Sequence, residues 1–200
     1  MNPAYTKTLN ELIEQFGKLP GIGPKTAGRL AFHILTAEPR QAMALAKAIS
    51  DVKTNIRQCK TCFSLAESDT CTICADPRRD QSVICVVEQP KDLISLESTG
   101  LCKWVYHVLN GHIAPLDGIG PEDLTIEQLL GRVRGGTVKE VIMATNPNLE
   151  GDGTALYIQS LLSGFEVKIT RLARGLPSGS TIEFASGSIL SEAILGRSPL

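Results

Sequence analysis

Residues 83–88 read Val-Ile-Cys-Val-Val-Glu, an apolar run that ends on a carboxylate. An unbroken apolar run of this kind is typical of a strand that is buried on both faces of a parallel sheet. Residues 141–144 (VIMA) and 167–170 (VKIT) repeat the pattern. We therefore predict three strands of one mainly parallel sheet.

Helices are expected between these strands, near residues 92–98, 126–133 and 155–162, where the apolar spacing is helical. Alternation of strand and helix favours an α/β domain, in which working residues gather at the carboxyl ends of the strands. Cys85 lies in the first strand and Cys102 in a segment that leads from a loop into a strand. We expect both to be small apolar fillers.

Upstream of the sheet the pattern predicts three helices. The first carries an apolar stripe of Leu9, Leu12, Ile13 and Phe16. The second begins at Pro24, which costs little in a first turn, and its expected apolar face is Ala27, Leu30, Ala31, Ile34 and Leu35. The third follows Pro39 and is expected to turn inward Met43, Ala46, Ile49, Val52 and Ile56.

The connection between the first two helices, residues 19–25, reads Leu-Pro-Gly-Ile-Gly-Pro-Lys. Gly21 and Gly23 permit a tight turn and a close approach of the backbone to a ligand, while Ile22 can anchor the turn in the core. The start of the second helix offers free N–H groups to an anion. Lys25 and Arg29 lie four residues apart, so both can reach one phosphate strand. The simpler alternative is a plain corner with solvated surface charges.

Charge is distributed unevenly along a chain whose net charge is −1. Residues 1–60 contain nine Lys or Arg against four Asp or Glu, and the remainder contains 11 against 17. A basic front and an acidic back favour DNA at the front and protein or metal contacts behind.

Four cysteines form two pairs, Cys59-x2-Cys62 and Cys71-x2-Cys74, separated by eight residues. This spacing can close a tetrahedral four-thiolate zinc site, which leaves no open position and is therefore structural. Disulfides are the alternative, but nothing marks the chain as secreted and a reducing cytoplasm disfavours them. We expect one structural Zn²⁺ that staples a segment too small to hold a core.

Composition is that of an ordinary soluble protein, with 42% apolar residues in 200. No apolar run approaches the roughly 20 residues that a membrane span needs, and the polar start is unlike a secretory signal. We expect a cytoplasmic, nucleoid-associated protein without a membrane partner.

Several blocks of the sequence resemble the RecR family of bacterial recombination proteins over nearly the whole chain. They include LPGIGPKTAGRLAFHIL, both cysteine pairs, TGLCKWVYHVLNGHIAPLDGIGPEDL, ATNPNLEGDGTALYI and TRLARGLPSGSTIEF. The resemblance implies a multi-module α+β and α/β fold. Its segments are a helix-hairpin-helix region at 1–56, a four-cysteine zinc finger at 57–80, a Toprim domain at 81–175 and a tail with a short strand and helix at 176–200.

Glu88 stands where the Toprim family of topoisomerases and primases has its invariant acid. The second Toprim element, an Asp-x-Asp, is replaced here by Asn146-Pro147-Asn148. An amide brings no charge to Mg²⁺, so two-metal phosphoryl chemistry looks lost and we expect no enzyme. Glu150 and Asp152 could rebuild a weak metal site with Glu88, or could face solvent or a basic partner.

The remaining candidates point to no catalytic group. Tyr106 and Tyr157 lie in apolar patterns and are expected to pack, and His107 is expected to be a hydrogen-bonded structural imidazole. In the tail, Ser186 and Gly187 replace the acids of a loosely Walker B-like element. No P-loop accompanies it, so ATP hydrolysis is not expected. The second Gly-Ile-Gly-Pro, at 118–121, precedes acids and is expected to be a loop.

The resemblance implies a ring-shaped homotetramer that partners RecO and RecF. It would help to load RecA onto gapped DNA, contacting duplex and single-strand junctions. Two other functions remain open: a metal-dependent Toprim nuclease or primase-like enzyme, and a zinc protein that bridges partners without touching DNA. Metal-dependent activity that Glu88→Gln abolishes would establish the Toprim enzyme. Absence of salt-dependent DNA binding would establish the bridging zinc protein.

Overall fold

The computed structural model describes residues 4–197, so the outermost residues of the expected first and last segments, 1–3 and 198–200, lie outside the description. The chain divides into two compact units between Ile56 and Arg57. No helix in the described part is long and apolar enough to cross a bilayer.

The first unit consists of three helices: α1 (Lys7–Gly17), α2 (Pro24–Thr36) and α3 (Pro39–Asn55). Thr6 caps α1 by accepting a hydrogen bond from the Leu9 amide at 3.4 Å. Pro24 occupies the first turn of α2, as predicted, and Pro39 is itself the first residue of α3, since a first-turn residue needs no N–H. Ala27 and Ala31 of α2 are completely buried.

The apolar side of α3 differs from the prediction. All five residues expected to turn inward are exposed, and the fractions reach 68% for Met43, 59% for Ile49 and 55% for Val52; Ala46 and Ile56 are exposed as well. Leu35 of α2, also expected in the core, is 63% exposed. Helical periodicity identifies which side of a helix is apolar, but it does not identify what covers that side.

The second unit begins with a small cysteine-bearing module. Strands β1 (Arg57–Gln58) and β2 (Leu65–Ala66) pair antiparallel, and helix α4 (Thr72–Ala75) follows. The rest is built on strands β3 (Asp80–Val87), β4 (Trp104–Val108), β5 (Glu140–Met143) and β6 (Lys168–Arg171). All neighbouring pairs are parallel and the order is β4-β3-β5-β6. The predicted parallel sheet is confirmed, and β4, for which the sequence suggested no bounds, is its fourth strand.

Helices connect the strands and continue beyond the sheet: α5 (Pro90–Glu97), α6 (Ile126–Arg134), α7 (Leu149–Leu162) and α8 (Gly187–Leu195). Residues 118–120 connect two short 3₁₀ helices, Pro115–Asp117 and Pro121–Asp123, and Pro121 begins the second of them, which confirms the expected loop. The described part of the tail contains a 3₁₀ turn at Ile182–Phe184 before α8, where a short strand was expected.

Successive side chains of β3 point to opposite faces of the sheet, and apolar residues pack against each face. Ile84 and Val86 join a core cluster with apolar residues of α6 and α7. Cys85 and Val87 join a second cluster that includes Leu93 of α5 and is packed against Phe63 and Ile73 of the cysteine module. The cysteine module is therefore part of the layer that covers the second face.

Candidate nucleic-acid interface and metal centre

The four predicted cysteine ligands come together in the folded chain. Their Sγ atoms all lie within 4.8 Å of one another, and three of the four residues are buried. Cys62 Sγ and Cys71 Sγ are 3.6 Å apart, far beyond a disulfide bond of about 2.05 Å, and all the cysteines are free. A tetrahedral zinc ion with bonds of about 2.3 Å needs sulfurs roughly 3.8 Å apart. The donor set fits one structural Zn²⁺.

Local backbone geometry forms the cysteine cluster before any ion is considered. The Cys59 amide donates to the Ser64 carbonyl at 2.7 Å, which closes the first knuckle. The Cys71 amide donates to Cys59 Sγ at 3.3 Å and thereby joins the two knuckles. A hydrogen bond from Cys74 lowers the pKa of the Cys62 thiol to about 5, although burial opposes the shift. Burial raises the pKa of Cys71, and the hydrogen bond to Cys62 raises that of Cys74. A zinc ligand must be a thiolate, so binding of the ion would displace the protons of Cys71 and Cys74.

The cysteine module is attached directly to the parallel sheet. The amide of Val108, the last residue of β4, donates to the Cys62 carbonyl at 2.8 Å. The Phe63 ring lies 5.3 Å from the His107 ring. Arg132 of α6 donates to the Tyr106 carbonyl at 2.6 Å; burial lowers its pKa, and the four cysteines oppose that shift. The guanidinium thus lies in the electrostatic range of the thiolate cluster.

The hairpin between α1 and α2 exposes backbone donors. Gly23 is the N-cap of α2 and has no side chain to satisfy the first amides of the helix. Within residues 4–197, no hydrogen bond uses the amides of Gly23, Lys25 or Thr26. Gly21 has a φ of +77°, which favours glycine. Gly23 has an ordinary extended backbone, and a Cβ added there would meet nothing within 4 Å.

Lys25 and Arg29 extend from the first turns of the same helix. Both are exposed, and neither lies within 4 Å of a carboxylate in the described part of the chain. By contrast, three of the four other lysines of this unit are paired with nearby acids: Lys7 with Glu11, Lys18 with Glu14 and Lys47 with Asp51. Free amides and unpaired cations therefore occur together at the hairpin.

Glu88 follows β3 directly and is only 2% exposed. Its Oε1 accepts a hydrogen bond from the Asn146 backbone amide at 2.7 Å, and its Oε2 accepts one from the Asn146 side-chain amide at 2.7 Å. His112 Nδ1 lies 3.1 Å from the same Oε2. Asn146 thus binds the carboxylate through both of its donors. Asn146, the residue that replaces the first Toprim aspartate, therefore donates hydrogen bonds to both oxygens of Glu88.

The first turn of α7 packs tightly against this carboxylate. Asn148 caps α7 by accepting a hydrogen bond from the Gly151 amide at 2.8 Å. A Cβ on Gly151 would overlap the Asn146 carbonyl oxygen and would lie 2.7 Å from Glu88 Oε1. Glycine is therefore required at 151, and both asparagines of the altered element have structural contacts.

The two other candidate acids do not join Glu88. Asp152 pairs with Arg171 and with Arg174, and Arg174 also donates to Glu192 of α8 at 2.9 Å. Arg174, followed by Arg171, lowers the pKa of Asp152 to about 2. Glu150 is exposed. Among residues 4–197, the cysteines are the only group of three or more His, Cys, Asp or Glu close enough to hold a metal ion.

Three family models match the chain in order. They are the helix-hairpin-helix of RecR over residues 9–53, the four-cysteine zinc finger domain of RecR over residues 56–76 and the Toprim domain over residues 82–173. The protein named recombination protein RecR in Rhodopirellula baltica is 53% identical to this chain over 98% of each sequence. The chain belongs to the RecR family.

Other relatives with the same name are similarly close. The protein from Chloroflexus aurantiacus is 55% identical over 94% of this chain and 93% of its own length. The one from Streptomyces coelicolor is 49% identical over 96% and 97%. RecR membership, the helix-hairpin-helix, the Toprim domain and the structural zinc of a four-cysteine finger, all expected from the sequence, are thereby confirmed.

Most of the remaining candidate side chains of this RecR-family chain have packing roles. Tyr106 is completely buried, as expected, whereas Tyr157 is exposed on α7 (38%), so the prediction that it packs was wrong. His107 is buried, and its Nε2 lies 2.8 Å from the Thr125 carbonyl, so the ring donates there. Burial, assisted by Arg132, lowers the pKa of His107 to about 3, which keeps the imidazole neutral. Cys85 is buried as an apolar filler, and Cys102 is half-buried beside α5.

Sequence reasoning missed two residues that the RecR fold brings to these sites. His112 contacts Glu88 across 24 positions, and Arg132 reaches the β4 backbone beside the cysteine module. His112 offered no motif spacing. Arg132 lies on the amphipathic helix α6 next to the apolar Val133, and an arginine that adjoins the apolar side of a predicted helix is the signal that could have indicated a specific partner.

Proposed function

We propose that this chain is a DNA-binding recombination mediator that does not cut DNA. The single observation that supports the proposal most is the hairpin at residues 19–25. It combines free helix-start amides with two unpaired cations one helical turn apart. Phosphate is the anion that such an arrangement accepts on a nucleic-acid strand.

Gly23 supports a close approach of the DNA backbone. Neither the φ of Gly23 nor a neighbouring atom of the chain requires glycine there. A phosphate that approaches the amides of Gly23 and Lys25 would explain why residue 23 is a glycine. A Cβ at this position would keep the phosphate away from the two amides. In this proposal Gly21 provides the turn, Ile22 anchors it, and Lys25 and Arg29 bind the flanking phosphates.

The Toprim region supports a role without catalysis. A two-metal site needs several free carboxylates, and here Glu88 is bound by Asn146 while Asp152 is bound by Arg171 and Arg174. We propose that these acids organise the strand ends and the tail, and that they hold no Mg²⁺.

The relatives are named recombination proteins, and the proposed role follows that name. Acting with RecO and RecF, the chain would help to load RecA on gapped DNA coated by single-strand-binding protein. A hairpin that touches a few phosphates binds weakly, so linked copies would gain affinity through effective concentration. A ring-shaped homotetramer provides such linkage.

Two exposed apolar surfaces support the tetramer. One is the side of α3 that carries Leu45, Ile49 and Val52, which are 45–59% exposed; the other, on the tail, carries Phe184, Ile194 and Leu195, which are 63–84% exposed. Contiguous exposed apolar surface commonly marks a protein interface. A ring of four chains needs two different contacts per chain, and the two surfaces lie in separate parts of the sequence.

The test of DNA binding is the salt dependence of affinity. Lys25→Ala combined with Arg29→Ala should weaken binding to duplex and gapped DNA and reduce the slope of log K against log salt by roughly two units, because two phosphate contacts are lost. Lys7→Ala combined with Lys47→Ala is the matched control, since it removes the same charge from ion-paired positions. Equal slopes for the two double variants would exclude the hairpin cations from the contact.

A further inference from the structure

The outer side of α2 forms one wall of an open cleft of about 880 Å³ within the first unit. Lys25, Arg29 and His33 line it from α2, and Ile13 lines it from α1. Tyr5 and Phe32 complete the aromatic part of its lining. The cleft therefore continues directly from the proposed phosphate site at the hairpin.

The polar part of this cleft is suited to anions. Lys25, Arg29 and His33 recur every four residues, so their side chains follow one side of α2 over two turns. No residue that lines the cleft carries a carboxylate. Three nitrogen-bearing side chains without a countercharge provide a path for a sugar–phosphate chain.

The apolar part of the cleft presents aromatic rings to solvent. The Tyr5 and Phe32 rings form an edge-to-face pair with centroids 5.5 Å apart and an interplanar angle of 76°. Phe32 is 40% exposed. An exposed ring beside a row of cations is the combination by which proteins bind unpaired bases, because every base has a π-face.

We propose that this cleft holds an unpaired nucleotide of single-stranded DNA, with its phosphate at Arg29 and His33 and its base against Phe32. The inference rests on the proposed DNA-binding function and assigns its strand preference. The volume falls in the range of roughly 300–1,000 Å³ that small-ligand pockets occupy, so the cleft is large enough for one nucleotide. A junction in gapped DNA offers both components, duplex phosphates for the hairpin and a free base for the cleft.

The test compares the full chain on three probes: an oligothymidylate, an abasic strand of the same length and a duplex. The abasic strand retains the phosphates but has no bases. The wild type should bind the oligothymidylate at least about 5-fold more tightly than the abasic strand, as expected for one stacked base. Phe32→Leu should abolish that preference and leave duplex affinity unchanged, while Phe32→Tyr, which keeps a ring, should retain it.

A second measurement needs only the wild-type chain. Iodouracil placed in the single strand should crosslink on irradiation, and the crosslinked peptide should contain Tyr5 or Phe32. Equal wild-type affinity for the thymidylate and abasic strands, a preference that persists in Phe32→Leu, or crosslinks confined to other peptides would each overturn the inference. These outcomes leave duplex binding intact, whereas failure of the proposed function would appear as no binding to any of the three probes.

Discussion

At the residue scale, Asn146 is the main hydrogen-bond partner of Glu88 at the end of β3. Its backbone and side-chain amides donate to the two oxygens of Glu88, each at 2.7 Å. The Glu88 carboxylate can accept both hydrogen bonds. Of the two polar atoms at the end of the Asn146 side chain, Nδ2 and Oδ1, only Nδ2 can donate to it. The substitution of an amide for an acid thus converts a metal-ligand position into a hydrogen-bond donor.

Asn146→Asp should restore a metal response to this site. Two carboxylates would then share the pocket, and their repulsion should lower the stability of the metal-free chain by about 1–3 kcal/mol. Millimolar Mg²⁺ should recover that stability, which would appear as a rise in Tm at neutral pH. The control is Asn146→Ala, which loses the donors without adding charge and should not respond to Mg²⁺. A wild-type Tm that rises equally with Mg²⁺ would indicate that Glu88 already binds metal and would favour the Toprim enzyme.

At the scale of elements, the zinc finger helps to cover one face of the parallel sheet. Phe63 and Ile73 pack on the cluster of Cys85 and Val87, and Val108 donates to the Cys62 carbonyl. A zinc ion bound by four thiolates carries a net negative charge, and Arg132 of α6 is the cation within their electrostatic range. We infer that Arg132 supports metal retention from outside the ligand set.

Arg132→Met should weaken zinc binding about 10-fold, because the substitution removes the countercharge and the bond to the Tyr106 carbonyl while retaining the apolar stem. The measurement is the rate of zinc release to a chromogenic chelator. Arg134→Met on the same helix is the matched control, since Arg134 is exposed and pairs with Glu127. If both variants released zinc at the wild-type rate, Arg132 would have no role in retention.

Complete removal of zinc should lower the Tm of the second unit, since the sheet would lose part of its cover.

At the scale of the whole molecule, the single chain leaves much apolar surface uncovered. Helix α3 contributes no buried residue, and α8 contributes none either. Helices with an exposed apolar side gain stability mainly through packing, so both are expected to find partners. In the proposed ring, each would pack against another copy of the chain.

Ile49→Glu on α3 and Ile194→Glu on α8 should each reduce the tetramer to a smaller assembly, because each buries a charge in one of the two contacts. The double variant should be a monomer. Sedimentation velocity measures the mass, and Ser50→Glu, at an exposed polar position of α3, should leave it unchanged. A wild-type chain that is monomeric at micromolar concentration would contradict the ring. DNA affinity should fall with the mass, since linked hairpins raise the effective concentration.

Features of this protein that depend on short residue spacings could be predicted from the sequence. Two Cys-x2-Cys pairs predicted the metal centre, the apolar run before Glu88 predicted a strand of a parallel sheet, and the glycines of the hairpin predicted its turn. Each of these features arises within a few residues of chain. Local propensity and side-chain periodicity are therefore sufficient to identify them.

Contacts between residues that are distant in the sequence became visible only in the folded chain. Asn146 reaches Glu88 across 58 positions, and His112 reaches it across 24. Parallel strands β3 and β5 are neighbours in the sheet but are separated in sequence by α5, β4 and α6, so no local pattern reports that their ends meet. The exposure of α3 could not be predicted for the same reason. Helical periodicity defines which side of a helix is apolar, but the burial of that side depends on surfaces that are distant in the sequence.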